Sequence, residues 1–255
     1  MQDYSKEFKG KKVLVTGGSR GIGGAAAQRL IDGGAKVVVT ARARHEETPA
    51  EATFVAGDLR SKEGAEAVAK ETVRILGGLD ILIHSAGAAR VQLLSMDQIP
   101  EAEWLDSLDI NFLAGLRITN AVLPELKKSG KGASIVYVSA GGKMPFGGPL
   151  SHYGAAKAAL NNYSQNLAKE LAPSGIRVNV VTPGPIITPG GDEVRKTITG
   201  AMGITDEQFF AAVPLQGRGG TASELAEPIA FLVSDRASYI TGHNHFVTGG
   251  WGELG

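Results

Sequence analysis

Three observations on the 255-residue chain predict an α/β fold, doubly wound, with one parallel sheet and helices on both faces. Short β-branched runs such as Val13-Leu14-Val15 and Val37-Val38-Val39 alternate with longer helical patterns, the rhythm of βαβ units. A glycine-rich turn, Thr16-Gly17-Gly18-Ser19-Arg20-Gly21-Ile22-Gly23, follows the first run directly. No repeat, low-complexity tract or linker interrupts the order, so residues 1–255 are expected to form a single domain around a seven-stranded parallel sheet.

The elements follow in order. Strands are expected at Lys12–Thr16, Lys36–Thr40, Thr53–Ala56, Leu79–His84, Ala133–Ser139, Arg177–Val181 and His245–Thr248. The first helix runs from Gly21 to about Asp32 and stops at Gly33-Gly34, as helices commonly do at glycine. Further helices are expected at Lys62–Leu76, Glu101–Leu108, Asn111–Lys128, Ser151–Leu171 and Ser223–Ser234. The longest irregular stretch is read as Thr188–Thr221, just beyond the sixth strand. In open α/β sheets ligands bind outside the carboxyl ends of the strands, so its part from about 189 to 213 is expected to cover a site.

Lysine plus arginine balance aspartate plus glutamate at 26 each. No bulk field therefore draws nucleic acid or an anionic membrane. The chain has no cysteine, which excludes disulfides, thiolate nucleophiles and cysteine metal sites. The first twelve residues lack an apolar signal core, and no window approaches 18 uninterrupted apolar residues, so neither a leader nor a membrane span is expected. A cytoplasmic protein is the expectation.

The glycine turn reads as an anion site. Gly17, Gly21 and Gly23 remove side chains where a strand turns into a helix, leaving free N–H groups and a positive dipole end for a pyrophosphate. Tyr153 and Lys157 stand four apart in a helical segment, hence on one face. A tyrosine ordinarily titrates near pH ~10, and the adjacent ammonium is expected to lower that value. Ser139 ends the strand-like run upstream. Alone, each has an ordinary reading: an aromatic on a lysine stem, a strand-end cap for Ser139, a helix N-cap for Asn111.

Together, in this order and spacing, these pieces resemble the short-chain dehydrogenase/reductase family over essentially the whole chain. The resemblance implies a Rossmann fold and an oxidoreductase interconverting a ketone or aldehyde and its alcohol. It implies a reaction centre of Asn111, Ser139, Tyr153 and Lys157, with Tyr153 exchanging the proton and Ser139 bonding the same oxygen. Lys157 would bind the nicotinamide ribose, and Asn111 would hold a water linking Lys157 to solvent. Cofactor contacts are implied at Gly17, Ser19, Arg20, Gly21, Ile22, Gly23, Asp58, Leu59, Ser85, Ala86 and Gly87, and beyond the sixth strand at Pro183, Gly184, Ile186 and Thr188. Asp58 would accept from adenine, although it also reads as a cap for the next helix. NAD-preferring members carry an acidic residue after the second strand, where this chain has Ala41-Arg42. With Arg20 in the turn, two guanidiniums and no carboxylate suit a 2′-phosphate, so NADP(H) is expected over NAD(H).

Two positions depart from the family. His84-Ser85-Ala86-Gly87 stands where Asn-Asn-Ala-Gly is usual, and Thr248-Gly249-Gly250 where Asp-Gly-Gly is usual. Epimerase-like relatives would show another glycine spacing and enoyl reductases a wider Tyr-to-Lys gap. A nucleotide-binding regulator without turnover is the other class considered, and the intact reaction centre speaks against it. His243 and His245 alone make a poor metal site, and no metal is expected. Met144, Pro145, Phe146, Gln92, Leu93, Met202, Phe209 and Phe210 are read as lining an apolar substrate pocket or simply covering the core. A homo-oligomer, tetramer or dimer, built through the helices near Asn111 and Ser151, is implied by the resemblance only.

Overall fold

The computed structural model describes residues 5–130, 132–141 and 148–252. The strands β1 (Lys12–Thr16), β2 (Lys36–Ala41), β3 (Thr53–Ala56), β4 (Ile81–His84), β5 (Ser134–Val138) and β6 (Arg177–Pro183) each precede a crossover. A short pair, β7 (Ile186–Ile187) and β8 (Gly220–Thr221), lies apart, and β9 (Asn244–Val247) closes the main sheet. The main sheet is parallel throughout, in the order β3-β2-β1-β4-β5-β6-β9. Its order reverses between β1 and β4, which opens a crevice at their carboxyl ends.

Alternation along a strand sorts side chains between the two faces. Val13 and Val15 pack with Ala27 and Leu30 of helix α1 (Gly21–Asp32), while Leu14 packs with residues of the opposite layer. That layer is built from α2 (Lys62–Leu76), α3 (Glu101–Leu108), α4 (Ala114–Ser129) and α5 (Ser151–Leu171), and its core includes Val68, Ile118 and Leu160. Both faces of the central strands are buried, which explains why they read as continuous apolar runs.

Most expected elements fall within two residues of their observed bounds. One expectation is corrected and two alternative readings are set aside. Thr188–Thr221 is not irregular: it holds α6 (Pro189–Met202) and α7 (Asp206–Phe210) before α8 (Ala222–Val233). Thr188 caps α6 by accepting from Gly191 N–H, Pro189 sits in its first turn, and Gly203 ends it in the left-handed region at φ 65°. Gly190, Gly191 and Gly200 are therefore helical positions. Asn111 is not a helix N-cap either, because a π-helical turn, Asp109–Leu113, joins α3 to α4 without a break. The cap of α2 is Ser61, whose hydroxyl accepts from Gly64 N–H, and not Asp58.

Candidate active site

The expected site residues lie along the carboxyl edge of the sheet. Gly17 N–H bonds Thr40 O at 2.8 Å, and Ser85 N–H bonds Thr16 O at 3.1 Å, which sets the exits of β1, β2 and β4 side by side. Gly17 (φ 64°) and Gly21 (φ 57°) adopt backbone that other residues rarely take. A Cβ on Gly17 would lie 2.8 Å from Ala86 N, so Ala86 can approach only glycine there. A Cβ on Gly23 would run into the carbonyl oxygen of Gly17. A Cβ built on Gly21 would lie 3.6 Å from Thr188 Cβ, so the bend after β6 reaches the glycine turn. Ile22 and Ile186 both pack against the core layer that contains α1.

This cradle fits a dinucleotide. The turn keeps its α1 amides without a side-chain cap, and such amides are complementary to phosphate. Arg20 flanks the turn, and Arg42 projects exposed after β2, followed by an equally exposed Arg44. Asp58 is exposed after β3, where its Oδ1 accepts Arg60 N–H at 3.0 Å, while Leu59 is buried. Pro183 ends β6, and Gly184 packs so closely on Thr248 that a Cβ would sit 2.8 Å from its Cα.

Ser85 stands in place of asparagine, but the strand end is steadied another way. Thr16 Oγ1 lies 2.8 Å from His84 Nδ1 and accepts Ala86 N–H at 3.3 Å. Thr248 acts locally too. Its hydroxyl accepts Gly250 N–H at 3.2 Å, closing a turn that lets Gly249 O accept from Leu215 N–H.

Four chain segments meet around Lys157. Its side chain is buried on α5, and its Nζ donates to Val138 O at 3.0 Å. A Cβ on Gly87 would lie 3.3 Å from that nitrogen and 2.9 Å from Asn111 Oδ1. Asn111 clamps the loop after β4, accepting Ala88 N–H at 3.0 Å and donating to Ala88 O at 2.8 Å. It also donates to Ser107 O at 3.1 Å, and Ser107 Oγ donates to His152 O at 3.2 Å. Asn111 thus ties the π-helical turn to the residue preceding Tyr153. Ser139 N–H bonds Val181 O at 2.8 Å, and its buried hydroxyl has no partner among the described residues.

Lys157 Nζ lies 5.8 Å from the centre of the Tyr153 ring. The expected lowering of the phenol does not follow from this arrangement. Burial pushes Tyr153 well above its ordinary value and pushes Lys157 down to about 8. In both cases the cause is removal from water, which disfavours the charged form.

A family model described as enoyl-(acyl carrier protein) reductase matches residues 17–252. The chain is 38% identical to the 3-oxoacyl-[acyl-carrier-protein] reductase of Escherichia coli over 252 residues, 95% of this chain and 98% of that one. It belongs to the short-chain dehydrogenase/reductase family. The chain is also 34% identical to a glucose 1-dehydrogenase of Gluconobacter oxydans over 269 residues, covering 97% of this chain and 94% of the relative. Among solved structures, the ligand-free aldohexose dehydrogenase of Thermoplasma acidophilum superposes with a TM-score of 0.84 at 27% identity, over 96% of this chain and 95% of that one. The enzyme is a Rossmann-fold oxidoreductase.

The apolar residues read as pocket lining are only partly gathered. Met144, Pro145 and Phe146 lie outside the described residues. Leu93 and Met202 are more than half exposed. Phe210 instead packs under the Arg195 guanidinium, 4.9 Å from its ring centre. Arg195 joins α6 to α7 through Asp192 (2.7 Å) and Asp206 (3.0 Å). A cavity of about 90 Å³ lies beside the Pro185–Ile186 bend, lined by Val213, Leu215, Leu225 and Val247 among others. Sequence reading overlooked the two helices of this segment. Thr188-Pro189 and Thr205-x-x-Gln208 carried the signal, a cap followed by proline and a capping box.

Proposed function

We propose that this enzyme is a carbonyl reductase of the 3-oxoacyl-thioester type that uses NADP(H) in preference to NAD(H). The supporting observation is the convergence of Ser139, Tyr153 and Lys157 at the carboxyl edge of β5, next to the glycine cradle of β1. The half-buried Arg20 and the exposed Arg42, with no carboxylate at the end of β2, support the 2′-phosphate preference.

Gly17, Ser19, Gly21, Ile22 and Gly23 would hold the pyrophosphate, with Asp58 and Leu59 at the adenine. Ser85, Ala86 and Gly87 would line the adenosine side of the crevice. Pro183, Gly184, Ile186 and Thr188 would flank the nicotinamide. Bound NADPH supplies the hydride. The protein supplies the proton and the electrostatics. Burial keeps the Tyr153 phenol protonated at neutral pH, as a general acid in the reducing direction requires. It gives its proton to the substrate oxygen, while the Ser139 hydroxyl donates a hydrogen bond to the same oxygen. Lys157, mostly an ammonium at neutral pH with a value near about 8, favours the phenolate left behind and would bind the ribose. Asn111 would hold the water that returns a proton through Lys157.

The four-residue step from Tyr153 to Lys157 favours carbonyl over enoyl chemistry, and the 38% identity to a 3-oxoacyl reductase supports an acyl thioester. The same reading has the chain acting as one domain, in the cytoplasm, as a homo-oligomer, on a small carbonyl or alcohol, without nucleic acid, membrane or metal. No helix among the described residues is long and apolar enough to cross a membrane. Leu105 on α3 and Met96 just before it are more than half exposed, which supports a second copy covering them.

The test is loss of reduced-nicotinamide absorbance with an acetoacetyl thioester, a simple ketone and an aldohexose. Turnover of the thioester with NADPH is expected. Binding of NADPH with no turnover of any carbonyl or alcohol would support a regulator of the same fold instead.

A further inference from the structure

The geometry points to Thr48 as a positioning residue for cofactor selection, a buried threonine that straps the arginine-bearing loop after β2 onto the glycine turn. This inference rests on the NADP(H) reading and deepens it. Arg20 and Arg42 come from different segments of the chain. A phosphate held between them is recognised well only if the segments keep a fixed spacing, because each flexible arginine otherwise loses conformational freedom on binding.

At the inner end the spacing is set by the sheet, where Gly17 N–H bonds Thr40 O at 2.8 Å. The chain then runs outward through Arg42 and Arg44, both exposed and without an ion pair or side-chain hydrogen bond among the described residues. At Thr48 it returns. Thr48 is 6% exposed although it sits in a surface loop, and its hydroxyl donates to Ser19 O at 3.2 Å. The same oxygen accepts His45 N–H at 3.2 Å, and Thr48 N–H bonds His45 O at 3.1 Å, so a tight turn holds the hydroxyl in place. Ser19 is itself buried and immediately precedes Arg20. The two bridges close a ring from Gly17–Ser19 and Thr40–Thr48, with Arg42 inside its outer limb and Arg20 at its rim. A hydroxyl donated to the Ser19 carbonyl of the turn couples the two arginine-bearing segments, while the further contacts to the cofactor come from the β4 and β6 exits, with which Thr48 shares no hydrogen bond among the described residues.

The experiment measures the dissociation constants of NADPH and NADH by titration of protein fluorescence for the wild type, Arg42→Ala, Thr48→Val and Thr48→Ser. Thr48→Val keeps the volume and removes the hydroxyl. It should weaken NADPH by about three- to tenfold, the worth of a neutral hydrogen bond, and leave NADH within about twofold. Thr48→Ser should restore the NADPH-to-NADH ratio, which a merely structural role would not move. A wild type that binds NADH more tightly overturns the cofactor reading and this inference with it. A wild type that prefers NADPH, an Arg42→Ala variant that loses the preference and a Thr48→Val variant that keeps it overturn the inference alone. Should the valine variant not fold, hydrogen exchange of residues 42–52 in the wild type decides. NADP⁺ must slow it more than NAD⁺ does, and equal slowing overturns the strap.

Discussion

Replacing His84 with asparagine is expected to flatten the acid limb of this enzyme's stability profile. His84 ends β4, fully buried against Gly115 and the Tyr137 ring. Burial, and after it the charge of Lys157, pushes its imidazole down to about 3 from an ordinary 6.5. The folded protein therefore keeps His84 neutral where the unfolded chain takes up a proton. Between pH 6.5 and about 3 the unfolded state binds more protons, so stability falls as pH falls through that window, and is unaffected by this group above 6.5. Each pH unit inside the window is worth about 1.4 kcal/mol, so His84 alone removes about 2 kcal/mol by pH ~5. Asparagine does not titrate, and its amide can reach toward Thr16 Oγ1 as Nδ1 does at 2.8 Å. Urea unfolding of both proteins at pH ~7.5 and ~5, at one fixed protein concentration, isolates the contribution, because other titrating groups cancel in the difference. The wild type should lose about 2 kcal/mol more than the variant over that interval. Parallel losses would mean that His84 takes up its proton in the folded state, and the burial argument would be refuted.

Three further outcomes are expected. Tyr153→Phe removes the acid and keeps the ring, so NADPH binding should persist while turnover falls by about 10²- to 10⁴-fold; wild-type turnover in that variant would sink the mechanism. Gly23→Ala places a methyl against the Gly17 carbonyl oxygen, and should lower stability by about 1–3 kcal/mol and raise the NADP⁺ dissociation constant, both read by thermal denaturation with and without the cofactor. Residues 189–213 are proposed to close over the ligands; because Arg195 bonds both Asp192 and Asp206, hydrogen exchange should slow across α6 and α7 together when NADP⁺ and a substrate analogue bind, whereas identical exchange in both states would make the segment static scaffold.

The strands, the glycine turn and the Tyr153–Lys157 step were legible in the sequence because each is written in a short window. Short β-branched runs, glycine at a left-handed turn and helical spacing are local rules, and the strands, the turn and the Tyr153–Lys157 step follow them. The caps of α6 and α7 are equally local, at Thr188-Pro189 and Thr205-x-x-Gln208. Other features depend on residues far apart in the chain. Asn111 reads as a cap until the loop after β4 is seen lying against it, with Ala88 bonded to both ends of its amide. Thr48 reads as one of several polar loop residues until its hydroxyl is found on Ser19, 29 positions away. The protonation of Tyr153, Lys157 and His84 was misjudged or unjudged for the same reason. Spacing identifies which charge stands near a group, but the direction of its shift is set by how much water the whole fold removes, and that is a property of packing from every side.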